Sequence, residues 1–225
     1  MLSIWSVWVI IFFGGIKMYH YRYATKEETK PIRIELEKII HKVQNEVRDN
    51  FTFSYRFIGS SKQNMITFDP TTNIGFDFDV DLYVNDDDEE YPEKEIRKTL
   101  KNAINNAARY YGYNYCEDST SVLTIKFIDR PFSQIKHSCD FAIVYDGSKG
   151  QQYIRFNKHQ HSYTWEYRKK GFKNLEEKAN WLKNHKRWDE VRELYLEKKN
   201  KNNNPDKHSR SLYAETINNL YNKYK

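Results

Sequence analysis

Apolar and polar side chains alternate along the run from Gly75 to Val84. A period of two is typical of a β-strand, because successive side chains point to opposite faces of a sheet. One face of this strand would be apolar and would pack into a core. It comprises Phe76, Phe78, Val80, Leu82 and Val84. The run therefore predicts a half-buried strand whose second face is polar.

The polar face carries Asp77, Asp79 and Asp81. Successive carboxylates on this face would lie roughly 6–7 Å apart, given the rise of a strand. Like charges at this spacing raise one another's pKa unless a cation lies among them. One interpretation is a site for a hard divalent cation, most naturally Mg²⁺, which binds carboxylates together with substrate phosphates. The alternative is an acidic strand on a solvated sheet face.

Two flanking strands add polar groups to this picture. A strand over Phe51–Ile58 leads into a Gly-Ser turn, whose backbone N–H groups and hydroxyls could hold phosphate oxygens. A strand over Ser138–Tyr145 carries one early carboxylate, Asp140, in an apolar run. A buried aspartate is costly unless it is paired, hydrogen-bonded or bound to a metal. The non-metal partners in reach of the sequence are Lys126, Lys136 and His137.

The order of these motifs resembles the DNA polymerase β-like nucleotidyltransferases. The resemblance rests on Gly59-Ser60, Asp77-Phe78-Asp79 and Asp140, and it spans about residues 31–146. The branch most similar in appearance contains cyclic-GMP-AMP synthase, oligoadenylate synthetase and their bacterial relatives. It implies an α/β fold with a mixed sheet, flanking helices and a helical C-terminal lobe.

The resemblance also implies an activity. Such an enzyme transfers a nucleoside monophosphate from ATP or GTP to a hydroxyl acceptor and releases pyrophosphate, using two Mg²⁺ ions that Mn²⁺ can replace. The acceptor could be a second nucleotide, which would give a cyclic or linear oligonucleotide signal, or an RNA end, a protein or a small molecule. The alternative is a catalytically silent module of the same fold that binds nucleotide or RNA.

Site roles follow from the same resemblance. Asp77, Asp79 and Asp140 would be the catalytic metal ligands, with Asp81 as second choice because Asp79 and Asp81 also form an Asp-x-Asp pair. The phosphate-binding turn would comprise Gly59, Ser60, Ser61 and Lys62. A lid on the helical lobe would supply a stacking ring and a cation. The leading pair is Tyr195 and Lys198, and the other candidates are Tyr163, Trp165, Lys186 and Lys199.

Length and composition fit a globular chain rather than a disordered one, with 225 residues, 39% of them hydrophobic. The net charge of +6 favours polyanionic partners such as nucleotides or RNA. Two cysteines provide neither a disulfide framework nor a zinc quartet and suit the cytoplasm. Predicted helices cover Pro31–Arg48, Pro92–Tyr111, Leu175–Asn184, Trp188–Lys199 and Ser211–Tyr224, and a short strand is predicted over Tyr113–Glu117.

Three segments are expected. Residues 18–150 would form the catalytic core and residues 151–225 the helical lobe. Residues 1–17 are dominated by the uncharged apolar stretch Leu2–Ile16. This stretch is slightly shorter than the roughly 20 residues of a spanning helix. It is either a membrane anchor, with basic residues after it that keep the enzyme in the cytoplasm, or an extension upstream of a true start at Met18.

Overall fold

The computed structural model describes residues 19–73, 75–86, 90–168, 171–172 and 174–225. The predicted N-terminal anchor, residues 2–16, therefore lies outside the described residues. Within the described ranges, no helix has the length and apolarity that crossing a membrane requires.

The first half of the chain alternates strands and helices. Its elements are β1 (Arg22–Tyr23), α1 (Lys26–Val47), β2 (Thr52–Ile58), α2 (Gly59–Lys62), β3 (Thr67–Phe68), β4 (Phe76–Asn85) and α3 (Glu93–Tyr110). Strands then dominate before three final helices. These elements are β5 (Glu117–Asp118), β6 (Leu123–Asp129), β7 (Gln134–Gly147), β8 (Gly150–Asn157), β9 (Ser162–Tyr167), α4 (Leu175–Asn184), α5 (Trp188–Lys201) and α6 (Ser209–Tyr224).

A seven-stranded mixed sheet forms the centre of the fold, in the order β2-β4-β7-β6-β5, with β8 paired to β7 and β9 paired to β8. The pairing of β4 with β7 is parallel, whereas the other pairings in this sheet are antiparallel. The buried stripe of α1 packs into the sheet's core with the apolar face of α3 and the apolar face of β4. This architecture confirms the predicted fold class.

The three C-terminal helices have a second, smaller core. Its fully buried members include Leu182, Val191 and Ile217, one from each helix, and Met65 contributes from the segment after α2. The helical lobe is thus packed against the part of the chain that follows the Gly-Ser turn. The predicted bounds of α4 are confirmed, while α5 and α6 each extend two residues beyond their prediction.

Three details differ from the predictions. The sheet includes β9, beyond the boundary placed at residue 150, and Ser162–Tyr167 alternates with the period of two typical of a strand. Helix α1 begins before Pro31, because Thr25 and Glu28 form a reciprocal capping box. Only Glu117–Asp118, rather than all of Tyr113–Glu117, pairs with β6.

Candidate active site

Three carboxylates converge on the polar face of the sheet. Asp77, Asp79 and Asp140 each offer an oxygen within 4.8 Å of the others. The parallel register of β4 and β7 causes this, because it sets Asp79 directly beside Asp140 and Asp77 beside Ser138. Side chains at paired positions of adjacent strands share a face, so the register brings the carboxylates together. The cluster could hold a metal ion.

The environment of the cluster disfavours its negative charge. Burial and the neighbouring carboxylates, first that of Asp77, raise the pKa of Asp79 to about 7. The pKa of Asp77 is raised to about 6, because the walls of the site displace water around it and Asp140 repels its charge. Burial also raises the pKa of Asp140. A bound cation would relieve this repulsion, as expected of a metal site.

Two hydroxyl groups donate hydrogen bonds to two of the three carboxylates. Ser138 Oγ donates to Asp77 Oδ1 at 2.9 Å, and Thr124 Oγ1 donates to Asp140 Oδ1 at 2.5 Å. Each hydroxyl comes from the strand next to the carboxylate that it contacts. Of the predicted non-metal partners of Asp140, Lys126 forms its ion pair with Glu117 at 2.7 Å, although its charge still lowers the pKa of Asp140.

The Gly-Ser turn lies at the edge of the acidic cluster. Strand β2 ends at Ile58, which pairs with Asp79, and α2 follows immediately. The turn is closed by a hydrogen bond from Ser61 Oγ to the carbonyl of Ile58, at 2.9 Å. Lys62 lies 3.9 Å from Glu176 in an exposed ion pair. The structure therefore brings the predicted phosphate-binding turn to the predicted metal ligands.

Asp81 lies on the same strand but has a different partner. Its side chain is only 2% exposed and accepts two hydrogen bonds from Arg168, from Nη2 at 2.5 Å and from Nη1 at 2.7 Å. A bidentate guanidinium occupies both carboxylate oxygens. The alternative metal pair of Asp79 with Asp81 is therefore not the one that the fold assembles. Nothing in the sequence around Asp81 indicates Arg168 as its partner, because Arg168 lies 87 positions away.

The predicted lid pair has its partners within the helical lobe. Tyr195 is buried in the core of the helical lobe. Lys198 forms an ion pair with Glu215 of α6. The other aromatic candidates, Tyr163 and Trp165, pack against the main core. None of these contacts directs a side chain toward the carboxylates.

Lys199 is a cation of the helical lobe that lies near the start of β4. The ring of Phe68, the neighbour of its partner Thr67, lies 4.6 Å from that of Phe76, which precedes Asp77. Lys199 Nζ donates to Thr67 Oγ1 at 2.6 Å, and the charge of Lys199 lowers the pKa of Asp77. Burial lowers the pKa of Lys199 itself to about 8, while Asp77 acts in the opposite direction. Lys199 differs from Lys198 by one position on α5, which corresponds to a rotation of about 100° around the helix axis.

Neither a protein-family model nor a curated protein sequence matches the chain. Solved structures do match. One is the Vibrio cholerae dinucleotide cyclase DncV in complex with GTP, with 13% identity, a TM-score of 0.53, and coverage of 87% of this chain and 54% of that one. The chain has a nucleotidyltransferase fold.

A second match is the Escherichia coli DncV in its 3′-deoxy-GTP-bound form. Its identity is 16% and its TM-score 0.54, over 87% of this chain and 53% of that one. A third is the Vibrio cholerae enzyme with 3′-deoxy-ATP, at 14% identity and a TM-score of 0.53. This nucleotidyltransferase fold therefore spans about half the length of the cyclases that it matches. The predicted nucleotidyltransferase fold is confirmed.

Proposed function

We propose that the chain is a metal-dependent nucleotidyltransferase that transfers a nucleoside monophosphate from ATP or GTP to a hydroxyl and releases pyrophosphate. The observation that carries this proposal is the convergence of Asp77, Asp79 and Asp140 within 4.8 Å beside the Gly-Ser turn. The fold adds support, since DncV structures contain GTP or a 3′-deoxynucleotide. Three mutually repelling carboxylates would serve no purpose in a module that only binds.

The donor set fits a hard divalent cation. All three donors are carboxylates, and oxygen-only donors suit Mg²⁺ or Mn²⁺ better than the softer metals that cysteine and histidine select. Two such ions, when bound, would neutralise charge on the attacking and leaving oxygens of an in-line displacement at phosphorus. Asp77, Asp79 and Asp140 would hold them, and the hydroxyls of Ser138 and Thr124 would keep two of these carboxylates oriented.

The remaining polar groups would bind the triphosphate. The turn formed by Gly59, Ser60, Ser61 and Lys62 lies beside Asp79, where phosphates bound to the ions would be found. Lys199 would add one positive charge from the opposite lobe. Positioning and charge neutralisation would then provide most of the catalysis, because phosphoryl chemistry needs little covalent help from a protein. A second nucleotide as acceptor would give a cyclic or linear oligonucleotide product.

The test is incubation of the protein with each of the four NTPs, labelled at the α-phosphate, and with Mg²⁺ or Mn²⁺. An Asp77→Ala/Asp79→Ala double variant would remove two of the metal ligands. Asp146→Asn is a matched control, because Asp146 is an exposed carboxylate on β7 that bonds Gln151 instead of the cluster.

We expect pyrophosphate and a new labelled product from the parent protein and from the Asp146 variant, and neither from the double variant. Label in a small molecule would indicate a nucleotide acceptor, whereas label in co-purified RNA or protein would indicate a macromolecular one. Saturable NTP binding without pyrophosphate release would contradict the proposal and favour the silent binding module.

A further inference from the structure

Residues 19–25 form a strap between the segment that links α2 to β4, with which they form a separate two-stranded sheet, and the helical lobe. On one side, β1 pairs with β3, and the amide of Ala24 donates to the carbonyl of Ile66 at 2.9 Å. On the other side, Tyr21 and Asn200 of α5 exchange two hydrogen bonds. The amide of Tyr21 donates to Asn200 Oδ1 at 2.6 Å, and Asn200 Nδ2 donates to the Tyr21 carbonyl at 3.0 Å.

Further contacts fasten the strap at both ends. The Tyr23 hydroxyl donates to the carbonyl of Arg192 on α5 at 2.7 Å, and the Arg192 guanidinium lies 4.1 Å from the centre of the Tyr23 ring. The amide of His20 donates to Asp69 at 2.9 Å, and Asp69 is only 1% exposed. The strap is thus hydrogen-bonded to Asp69, in the turn after β3, and to two positions on α5, Arg192 and Asn200.

Lys199 lies where these contacts meet. Its Nζ is 4.4 Å from the centre of the Tyr21 ring and 2.6 Å from Thr67 Oγ1. Thr67 is the β3 residue that pairs with Tyr23, and Asn200 is the next residue after Lys199. The Tyr21 ring and Thr67 are therefore themselves held by the strap, while the Tyr195 ring on α5 lies 6.0 Å from the ammonium. A free lysine side chain samples many rotamers, so such fixing must come from its surroundings.

We propose that Tyr21 and Asn200 are positioning residues that hold the Lys199 ammonium beside the acidic cluster, where it binds a phosphate group of the ligand. The identity of that ligand as a nucleotide rests on the proposed function. The role of Tyr21 depends on the face of its ring, which attracts the ammonium. The role of Asn200 depends on both ends of its amide, which fix the strap to the turn of α5 that carries Lys199.

The effects of Tyr21 and Lys199 on phosphate binding should be coupled. Tyr21→Ala should weaken binding of magnesium tripolyphosphate, the probe for phosphate recognition without a base, by about twofold to thirtyfold, the range of one cation–π contact. Lys199→Ala should weaken it at least as much. The double variant should bind no more weakly than Lys199→Ala alone, because the ring acts only through the ammonium. Asn200→Ala should behave as Tyr21→Ala does.

Tyr21→Phe is the matched control. It keeps the ring and both backbone hydrogen bonds, so affinity should equal that of the parent protein. Isothermal titration of the full chain gives each dissociation constant, and thermal unfolding verifies that each variant is folded. These single and double variants form a double-mutant cycle. If Tyr21→Ala does not fold, the cycle is completed with Asn200→Ala and Lys199→Ala. If the strap were merely structural, disrupting it would weaken binding by the same factor in the presence and in the absence of Lys199.

Additive losses, or unchanged binding in Tyr21→Ala and Asn200→Ala, would overturn the inference. The same titrations with ATP and GTP separate it from the proposed function. Binding of tripolyphosphate without binding or turnover of any NTP would reject the proposed nucleotidyltransferase and leave the cycle to decide the role of the strap. Failure of the parent protein to bind tripolyphosphate would overturn the inference itself.

Discussion

A Cβ atom at Gly59 would lie 2.3 Å from Oδ2 of Asp79. The backbone of Gly59 also has φ = +63°, in the left-handed region that favours glycine. Two independent constraints therefore select glycine where the Gly-Ser turn meets the acidic cluster. Under the proposed function, this close contact would let one ligand reach both the turn and the carboxylates.

Gly59→Ala should reduce nucleotidyl transfer by about a hundredfold, because displacement of the turn or of Asp79 by roughly 1 Å misplaces the reacting groups. Steady-state assay of pyrophosphate release measures the loss. Gly147→Ala is the control, since a Cβ there would meet Tyr145 at 3.4 Å, an ordinary contact. Equal activity of the two variants would show that the turn does not contribute to the site.

Asp79→Asn should stabilise the metal-free protein at neutral pH. The pKa of Asp79 is raised to about 7 in the folded state, from about 4 in an unfolded chain. The folded state therefore holds this proton more tightly, and ionisation of Asp79 lowers the free energy of unfolding as pH rises from about 4 to about 7. The variant lacks this loss, so the amount by which its free energy of unfolding exceeds that of the parent protein should grow across that window. Above it the difference should level off.

Urea unfolding with EDTA at pH 4.5, 6 and 8 measures this difference between the variant and the parent protein. Excess Mn²⁺ at pH 8 should reverse the order, because a bound ion stabilises the parent protein and the variant lacks a ligand. An advantage that is independent of pH would contradict the raised pKa.

Arg168→Ala should cost about 3 kcal/mol of stability, because it leaves Asp81 charged and buried without its partner. Chemical denaturation measures the loss. The double variant Arg168→Ala/Asp81→Asn should recover a large part of it, since no buried charge remains. Arg155→Ala is a matched control, because Arg155 forms an exposed ion pair with Glu166 at 3.3 Å and exposed pairs contribute at most about 1 kcal/mol. Comparable losses in the two single variants would contradict the structural role of the Asp81–Arg168 pair.

Thr124→Val should weaken Mn²⁺ binding by about tenfold, the usual effect of removing a hydrogen bond to a metal ligand. The change keeps the shape of the side chain and removes its hydrogen bond to Asp140. Thr164→Val, on β9, is the control, because Thr164 bonds Asn157 and not the cluster. Electron paramagnetic resonance of free Mn²⁺ gives both affinities, and equal values would exclude Asp140 as a ligand oriented by Thr124.

Local patterns predicted those parts of the site that depend on one strand. The alternation around Asp77 and Asp79 predicted both their shared face and the buried face opposite. The pairing of Asp81 with Arg168 could not be predicted, because it depends on where β9 ends relative to β4. The orientation of α5 was equally inaccessible to prediction, because nothing in the sequence shows which of Lys198 and Lys199 contacts Thr67. The capping box of Thr25 and Glu28, by contrast, can be recognised in the sequence, and it marks the start of α1 before Pro31.

The parallel pairing of β4 with β7 also has a consequence during synthesis. Ser138, which bonds Asp77, is 61 positions further along the chain, so β4 leaves the ribosome long before β7 exists to cover its edge. An unpaired strand with one apolar face is prone to associate with other chains, and repeated like charge opposes such association. In the nascent chain, the aspartates of β4 would therefore oppose such association before they become neighbours of Asp140.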